Sequence, residues 1–379
     1  MKIKTYASTF VLSFIGLFVF IAAFNYFVNP YDVWSVSCIQ NVNCKKTQAG
    51  NKIYYTKSKQ WQDIDFDGLI LGNSRLEIGI NPNSDAFPSS NNYNLSIRGA
   101  RVADQALYLQ NVLKTKKPKY IVLGIDFFSF RRRPHAPDAW PIGSREYLKY
   151  DVLGNPLEDY TITNTKYAAN ALFSLVAATD SVMTLINQHR QVSYLNHQGF
   201  DHGLGFETIH RIEGVEAAFK NDLRQLRQKF EGEQFSLKSS NAMNSEFEAL
   251  KLILKLSREQ LIPIFVYISP VHIEYLNILN ETGHLDLYFE WKESLVQTLA
   301  QQGYYRQQML YDFSSPKGFV LETVPKGRNQ TMQWWYEAGH YQPTLGDYML
   351  REIFSAGYRY RLTPSNVHSK LVSERAFFN

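Results

Sequence analysis

The segment from Gly68 to Arg75, with the sequence GLILGNSR, most constrains what this chain of 379 residues can fold into. Its apolar run at 69–71 stops abruptly at Gly-Asn-Ser. This pattern is typical of a buried parallel strand that runs into a turn. Ser74 then lies just beyond the carboxyl end of the strand. Because ligands bind at that end of open α/β sheets, we expect Ser74 to lie at a functional site.

Further short apolar segments repeat the pattern. Predicted strands lie at 69–71, 93–96, 120–124, 262–268 and 310–312, and predicted helices at 102–113, 287–301 and 345–354. Strand and helix alternate as in right-handed βαβ units around a parallel sheet. We therefore predict an α/β fold over residues 67–379, with a flavodoxin-like, three-layer parallel sheet. Residues 136–259 show helical periodicity without a clear strand, which predicts a largely helical insertion.

The N-terminal region predicts a membrane anchor. Residues 5–31 carry no charge, and residues 10–24 are almost wholly apolar, which is close to the length that spans a bilayer. A cleaved signal peptide is the alternative, but the bulky residues 24–28 do not resemble its small-residue cleavage site. Lys2 and Lys4 favour a cytoplasmic N-terminus, which places the remainder outside that membrane.

The predicted juxtamembrane segment, residues 32–66, contains both cysteines, Cys38 and Cys44. In an oxidising compartment they can close a small disulfide loop, and two free thiols are the alternative. Two sulfurs without a nearby histidine make an incomplete zinc shell, so we expect no metal site. The net charge of +5 is mild for this length and gives no support to a nucleic-acid partner.

The chemistry that Ser74 could carry requires a base, since a serine hydroxyl is a poor nucleophile until its proton is removed. His340 is the candidate base, and Glu337, three residues earlier, is the candidate carboxylate that orients it. Asp312 is an alternative orienting carboxylate, and His272 is a rival base. The backbone N–H groups of Ser74 and Gly99 are candidate donors to a developing oxyanion.

Four segments together resemble the blocks of the SGNH/GDSL hydrolase superfamily: Gly72–Ser74, Gly99, Gly124–Asp126 and Glu337–His340. The resemblance covers roughly residues 67–354. It assigns the catalytic serine to Ser74, the oxyanion glycine to Gly99 and the final acid-x-x-His pair to Glu337 and His340.

Three residues depart from the family pattern. Asn73 replaces the usual Asp before the serine, Asp126 replaces the third-block Asn, and Glu337 replaces the final Asp. An ionised Asp126 cannot donate to an oxyanion, so we expect it to have a structural role. It remains a candidate substrate-binding residue together with Arg75 and Arg98, for which salt-bridged or solvated side chains are the alternative.

The arrangement of an N-terminal anchor, an early serine and a late acid-x-x-His pair resembles that of membrane-anchored SGNH proteins of bacterial envelopes. These include relatives of the proteins of teichoic acid D-alanylation and polysaccharide O-acetylation. The resemblance implies a single-pass protein of the bacterial cytoplasmic membrane, with its C-terminal domain in the periplasm or outside. It implies a serine esterase or O-acyltransferase for a cell-envelope glycan, without a cofactor, and a membrane-bound O-acyltransferase as a candidate partner. The alternative is a non-catalytic, glycan-binding or assembly module with a degenerate site.

Overall fold

A computed structural model describes residues 2–130, 145–232, 236–239, 242–243, 245–306, 308–327 and 330–378. Arg131–Arg133, for which the sequence allows either an anion clamp or a solvated loop, lie outside the described residues. The same holds for residues 136–144 of the predicted insertion.

The secondary structure of the described residues is mostly helical. The helices are α1 (Lys2–Val28), α2 (Ile53–Gln60), α3 (Ser74–Gly79), α4 (Val102–Val112), α5 (Tyr160–Phe173), α6 (Leu175–Asn187), α7 (Leu204–Glu213), α8 (Val215–Gly232), α9 (Ser245–Glu259), α10 (Ile273–Glu281), α11 (Leu285–Gln301), α12 (Pro343–Phe354) and α13 (Val367–Arg375). The strands are β1 (Gly68–Leu71), β2 (Asn92–Asn94), β3 (Tyr120–Ile125), β4 (Lys238–Ser239), β5 (Ala242–Met243), β6 (Ile264–Ile268), β7 (Leu310–Asp312), β8 (Trp335–Glu337), β9 (His340–Tyr341) and β10 (Arg361–Leu362).

Within the described residues, the main sheet has six strands in the order β10-β7-β6-β3-β1-β2. All neighbours are parallel except β10, which runs antiparallel to β7 at the edge. The parallel strands, numbered among themselves, follow the order 2-1-3-4-5 of doubly wound sheets. The predicted α/β fold with a parallel sheet is therefore confirmed. The sequence did not predict β10, because a strand of two residues is too short to show a recognisable pattern.

The central position of β1 explains its sequence. Leu69 pairs with Tyr93 of β2 on one side and with Ile121 of β3 on the other. Helices cover both faces of the sheet, so the whole strand is buried and reads as a continuous apolar run. The carboxyl ends of β1 and β3 therefore lie side by side, immediately before Gly72 and Asp126.

Helices α4, α9 and α11 pack in sequence along one face of the sheet, and α3 packs with α12 on the other. Helix α9 thus belongs to the core of the α/β domain, although the sequence assigned residues up to 259 to the insertion. Its buried stripe includes Phe247, Leu250 and Leu254. The remaining described insertion residues form α5–α8 and the small β4–β5 hairpin.

Helix α1 contains an apolar span of 23 residues, Tyr6–Val28, with a mean hydropathy of 2.3. Most of its side chains are exposed, and Asn25 and Val28 near its end are buried against the domain. By length and composition this helix can cross a membrane. A signal sequence near an N-terminus has the same length and composition. Cys38 and Cys44 form a disulfide. The segment that follows is folded onto the domain, since the Thr56 hydroxyl in α2 donates to the Tyr31 carbonyl at 2.7 Å.

The C-terminal tail, which its polar sequence predicts to be peripheral, is part of the core. Lys292 in α11 is fully buried, and its Nζ lies 2.8 Å from a carboxylate oxygen of Asp312 and 2.8 Å from one of Glu374 in α13. Burying an ammonium group costs several kcal/mol unless carboxylates compensate for it. Helix α13 therefore supplies a required counter-charge to the core.

Replacing Lys292 with Met should leave two buried carboxylates facing each other without a cation. We expect a loss of about 3–5 kcal/mol in the free energy of unfolding. Thermal and urea unfolding of the full-length protein in detergent measure this loss. Lys255→Met is the matched control, because that lysine is 57% exposed and pairs with Glu259 at 3.8 Å on the helix surface. The control should change stability by about 0.5 kcal/mol or less, and an equal effect in both variants would contradict the prediction.

Candidate active site

Ser74 is the first residue of α3, directly after the turn that ends β1. Asn73 caps this helix, because its side-chain Oδ1 accepts a hydrogen bond from the Arg75 N–H at 3.1 Å. Asn is a favoured residue at this position for that reason. The cap fixes Ser74 at the carboxyl edge of the sheet, where the sequence placed it.

The hairpin formed by β8 and β9 carries Glu337 and His340 on either side of the Ala338-Gly339 turn. His340 Nε2 lies 2.8 Å from Ser74 Oγ, and His340 Nδ1 lies 2.5 Å from Glu337 Oε1. The predicted serine, histidine and glutamate are thus brought together in one hydrogen-bonded chain. The imidazole of His340 lies between the Ser74 hydroxyl and the Glu337 carboxylate. Nucleophilic catalysis requires this order, in which a base lies between a nucleophile and an orienting carboxylate.

Arg75 connects this hairpin to the sheet. Its Nε donates to the Gly339 carbonyl at 2.7 Å, and its Nη1 lies 2.8 Å from Asp126 Oδ1. The guanidinium also lies over the Tyr275 ring, 5.4 Å from its centroid. Arg75 is buried, and these internal contacts favour a positioning role over the substrate-binding role that the sequence allowed.

Asp126 is buried at the end of β3 and is held from several sides. Besides Arg75, the Asn73 side-chain amide, the Ser129 hydroxyl and the Ser129 N–H donate to its carboxylate. Burial opposes its ionisation, but the Arg75 charge and these donors outweigh burial and hold the pKa of Asp126 below its usual range. An ionised Asp126 has no proton to donate to an oxyanion, and its oxygens are already engaged by these partners, which supports the structural role.

Gly99 lines the same cleft as Ser74, in the turn after β2. Its φ of +75° lies in the left-handed region, which a glycine adopts without steric cost. Among the described residues, no partner accepts a hydrogen bond from the Ser74 or Gly99 N–H. Two unengaged N–H donors therefore belong to residues that line the cleft.

Arg98, the third candidate for substrate binding, contacts acidic side chains of the domain. Its Nε lies 3.1 Å from Glu77 in α3, and its Nη2 lies 3.1 Å from Asp201 in the insertion. Glu77 is fully buried, so Arg98 compensates for a charge that would otherwise be costly. These ion pairs tie the Gly99 turn to the helix that begins at Ser74, and they favour a positioning role for Arg98.

The two alternatives to the His340–Glu337 pair lie elsewhere. Asp312 is engaged with Lys292 in the core. His272 caps α10, and its Nε2 bonds the Glu322 carbonyl at 2.6 Å. Its backbone N–H donates to the Ala338 carbonyl at 3.0 Å, which helps to hold the Ala338-Gly339 turn.

The cleft above Ser74 has a volume of about 580 Å³, and α7 and α8 of the insertion form its outer wall. Phe206 of α7 packs against the His340 ring at 5.5 Å between centroids. The polar and charged residues that the insertion contributes to the wall are Glu213, Asn221, Asp222, Arg224, Gln225 and Lys229. Ser74 on α3 and the β8–β9 hairpin thus form one side of the cleft, and the insertion supplies about half of the residues that line it.

Asp222 is a residue that the sequence analysis missed. Its Oδ2 is buried without a hydrogen-bond partner in the described part of the chain. Burial and the nearby negative charge of Glu337 raise its pKa to about 7, against the opposing effects of His340, Lys229 and the Ala338 N–H. A signal was present, because Asp222 interrupts the apolar stripe of α8 between Phe219 and Leu226 at helical spacing.

The described residues contain no group of three or more His, Cys, Asp or Glu side chains that could hold a metal ion. No protein-family model matches the chain, and no curated protein matches it in sequence.

The raised pKa of Asp222 predicts a pH dependence of stability. Between pH 4 and 7 the folded state binds a proton that the unfolded state has released, so this contribution is present at low pH and is lost as the pH rises through about 7. Part of this contribution is already lost by pH 5. The stability of Asp222→Asn relative to the parent should therefore be greater at pH 8 than at pH 5, with an upper limit of about 2.6 kcal/mol for the difference.

Urea unfolding followed by tryptophan fluorescence at both pH values measures this difference. Asp65→Asn is the control, because the Asp65 side chain is 95% exposed. It should reproduce the parent's pH dependence. A parallel pH dependence in the parent and in Asp222→Asn would show that Asp222 ionises as an ordinary carboxylate.

Proposed function

We propose that this protein is a membrane-anchored serine esterase or O-acyltransferase of the SGNH type, acting on acyl esters of a cell-envelope glycan. The observation that carries the proposal is the hydrogen-bonded chain Ser74–His340–Glu337, formed by residues that are 266 positions apart. It lies at the carboxyl edge of a parallel sheet with the 2-1-3-4-5 order, in an open cleft. The departures from the family pattern at Asn73 and Asp126 face each other and form a hydrogen bond, so an amide–carboxylate pair is retained there.

In the first step, Ser74 Oγ attacks the carbonyl carbon of the ester while His340 Nε2 takes the hydroxyl proton. Glu337 holds Nδ1–H and stabilises the imidazolium that forms. The tetrahedral intermediate collapses, the ester C–O bond breaks, and His340 returns the proton to the departing alcohol. The acyl group remains as an ester on Ser74.

In the second step, an acceptor hydroxyl attacks the acyl-enzyme, with His340 again acting as the base and then returning the proton to Ser74. Water as the acceptor gives hydrolysis, and a glycan hydroxyl gives transfer. The Ser74 and Gly99 N–H groups are the donors to the oxyanion in both steps. Asp126 does not take part, because its oxygens are already engaged with Arg75 and Asn73.

A glycan substrate is supported by the character of the cleft wall. The amide and charged side chains of α8 face the Ser74 hydroxyl across the cleft, and such groups bind sugar hydroxyls. Arg224 and Lys229 are the exposed cations of this wall and can face an anionic sugar. The predicted anchor, α1, supports a position of this cleft near a membrane surface, where a membrane-bound O-acyltransferase is the proposed partner.

A fluorophosphonate probe tests the activated serine in the full-length protein in detergent. We expect one adduct by intact mass, formed when Ser74 Oγ displaces fluoride from phosphorus. Ser74→Ala and His340→Ala should lose it, and Glu337→Gln should slow its formation by about 10- to 1,000-fold, since a carboxamide stabilises the imidazolium less well. No adduct on the folded parent would favour the non-catalytic glycan-binding module. An adduct that persists in Ser74→Ala would mean that another serine is activated.

Gly99→Ala tests the oxyanion donors. A Cβ at residue 99 meets nothing within 4 Å, so the substitution acts through the backbone strain of a positive φ, about 1–2 kcal/mol. We expect kcat for p-nitrophenyl acetate hydrolysis to fall by about 10- to 100-fold with little change in KM, because a misplaced N–H stabilises the oxyanion poorly.

The matched control for this substitution is Gly283→Ala. Gly283 has a φ of +73°, also has no atom within 4 Å of an added Cβ, and does not line the cleft. It should lose similar stability and keep its kcat. An equal loss of kcat in both variants would assign the effect to general destabilisation and not to the oxyanion donor.

A further inference from the structure

Helices α5 and α6 form a kinked pair, Tyr160–Asn187, that is separate from the catalytic cleft. Their axes bend by 57° at Ser174, and together they are apolar enough to count as one broken membrane-spanning segment. Residues 167–179, on both sides of the bend, contain no charged side chain. We call this pair the α5–α6 wedge.

The α6 half of the wedge has its polar and apolar faces reversed relative to a helix on a water-soluble protein. Its buried side includes Ser181, Thr184 and Asn187. Its exposed side is an apolar stripe whose members are between 37% and 72% exposed: Leu175, Val176, Val182, Met183 and Ile186. A helix at a water interface turns its polar residues outward. The reversed arrangement is favourable only where the surroundings are themselves apolar.

The wedge packs directly against α1, inside the segment that can span the membrane. Phe173 at the bend stacks on Phe18 with 5.3 Å between ring centroids. Phe18 lies ten residues before Val28, where α1 ends, which corresponds to about 15 Å along the helix axis. The exposed apolar face of the wedge is therefore continuous with the apolar surface of α1, well below the outer end of that helix.

The polar groups at this contact satisfy one another. Asn25 of α1 donates through Nδ2 to the Leu172 carbonyl at 2.8 Å, and its Oδ1 accepts from the Ser181 hydroxyl at 2.9 Å. The Leu172 carbonyl belongs to the last turn of α5, where helical carbonyls lose their internal partners. Such a group is costly in hydrocarbon unless another group bonds it. Asn25 removes this cost at the bend of the wedge.

Charged groups border the uncharged stretch at 167–179, and the apolar stripe continues past Asp180 to Ile186. Lys166 precedes the uncharged stretch, and Asp180 ends it with one carboxylate oxygen 2.6 Å from the Tyr31 hydroxyl, beyond the end of α1. Arg190 follows the C-terminus of α6. An apolar face between charged and tyrosine-bearing ends is characteristic of helices that lie within one side of a bilayer.

We propose that the α5–α6 wedge is a second membrane-contacting element, inserted from the catalytic side into one leaflet, with lipid acyl chains against its apolar stripe. The inference rests on α1 being embedded in the membrane and is independent of the Ser74 chemistry. Two contacts with the bilayer restrict rotation of the domain about the α1 axis. The cleft then has a fixed orientation toward the membrane surface from which acyl groups arrive.

The test uses the full-length protein alone in vesicles of phosphatidylethanolamine and phosphatidylglycerol. A Val176→Cys variant is labelled with a nitrobenzoxadiazole fluorophore, while the native cysteines remain paired in their disulfide. Val372→Cys is the matched control, because Val372 is also an exposed valine on a helix, at 54% exposure on α13. Ile15→Cys in α1 reports on the anchor itself.

We expect acyl-chain nitroxide lipids to quench the label at residue 176 several-fold more strongly than aqueous iodide does. The label at residue 15 should show the same preference. The label at residue 372 should show the reverse.

Equal iodide quenching of the labels at residues 176 and 372, with the label at residue 15 protected, would overturn the proposal. A crosslink from residue 176 in native membranes would then assign the stripe to a protein partner. If lipid nitroxides quenched neither the label at residue 15 nor the label at residue 176, both the wedge and the anchor would be overturned. Lipid quenching at 176 without a fluorophosphonate adduct would support the wedge and reject the catalytic function.

Discussion

The buried ion pair between Arg75 and Asp126 is the interaction on which the arrangement of the candidate site depends. Removing two charges from water costs several kcal/mol per ion, and this cost is offset here by the short contact between them and by additional hydrogen bonds. Since Arg75 directly follows Ser74 and also binds the Gly339 carbonyl beside His340, one guanidinium fixes Ser74 relative to His340. It thereby joins helix α3 to the β8–β9 hairpin.

The helical insertion completes what the sheet begins. The sheet edge presents the Ser74 hydroxyl and the free N–H of Gly99, but it provides little surface for a large substrate. Helix α7 covers the His340 ring through Phe206, and α8 places Asp222 beside the Glu337–His340 pair. The identity of the proposed glycan is therefore expected to depend on residues of the insertion, and the proposed reaction on Ser74 of α3 and on the β8–β9 hairpin.

The segments outside the α/β core are integrated with it. The juxtamembrane residues fold onto the domain, as the buried Thr56 shows, and α13 returns Glu374 to a cation in α11. The proposed membrane contacts at α1 and at the α5–α6 wedge then act on one body and not on a flexible tether. Such a connection would transmit the orientation of the membrane-embedded parts to the cleft.

The features that the sequence by itself determined are those that local patterns encode. They are the apolar run that stops before Ser74, the short apolar patterns of the alternating strands and helices, and the acid-x-x-His spacing of Glu337 and His340. Each pattern is formed by residues close together in the chain, so it predicts a strand, a helix, a turn or a candidate catalytic group. Only the tertiary structure decided which charges meet. Arg75 pairs with Asp126, and Asp222 faces Glu337, because helix packing and sheet register bring together residues that are about 50 and 115 positions apart. An ion pair has no sequence periodicity, and its partner is fixed only when the chain is packed.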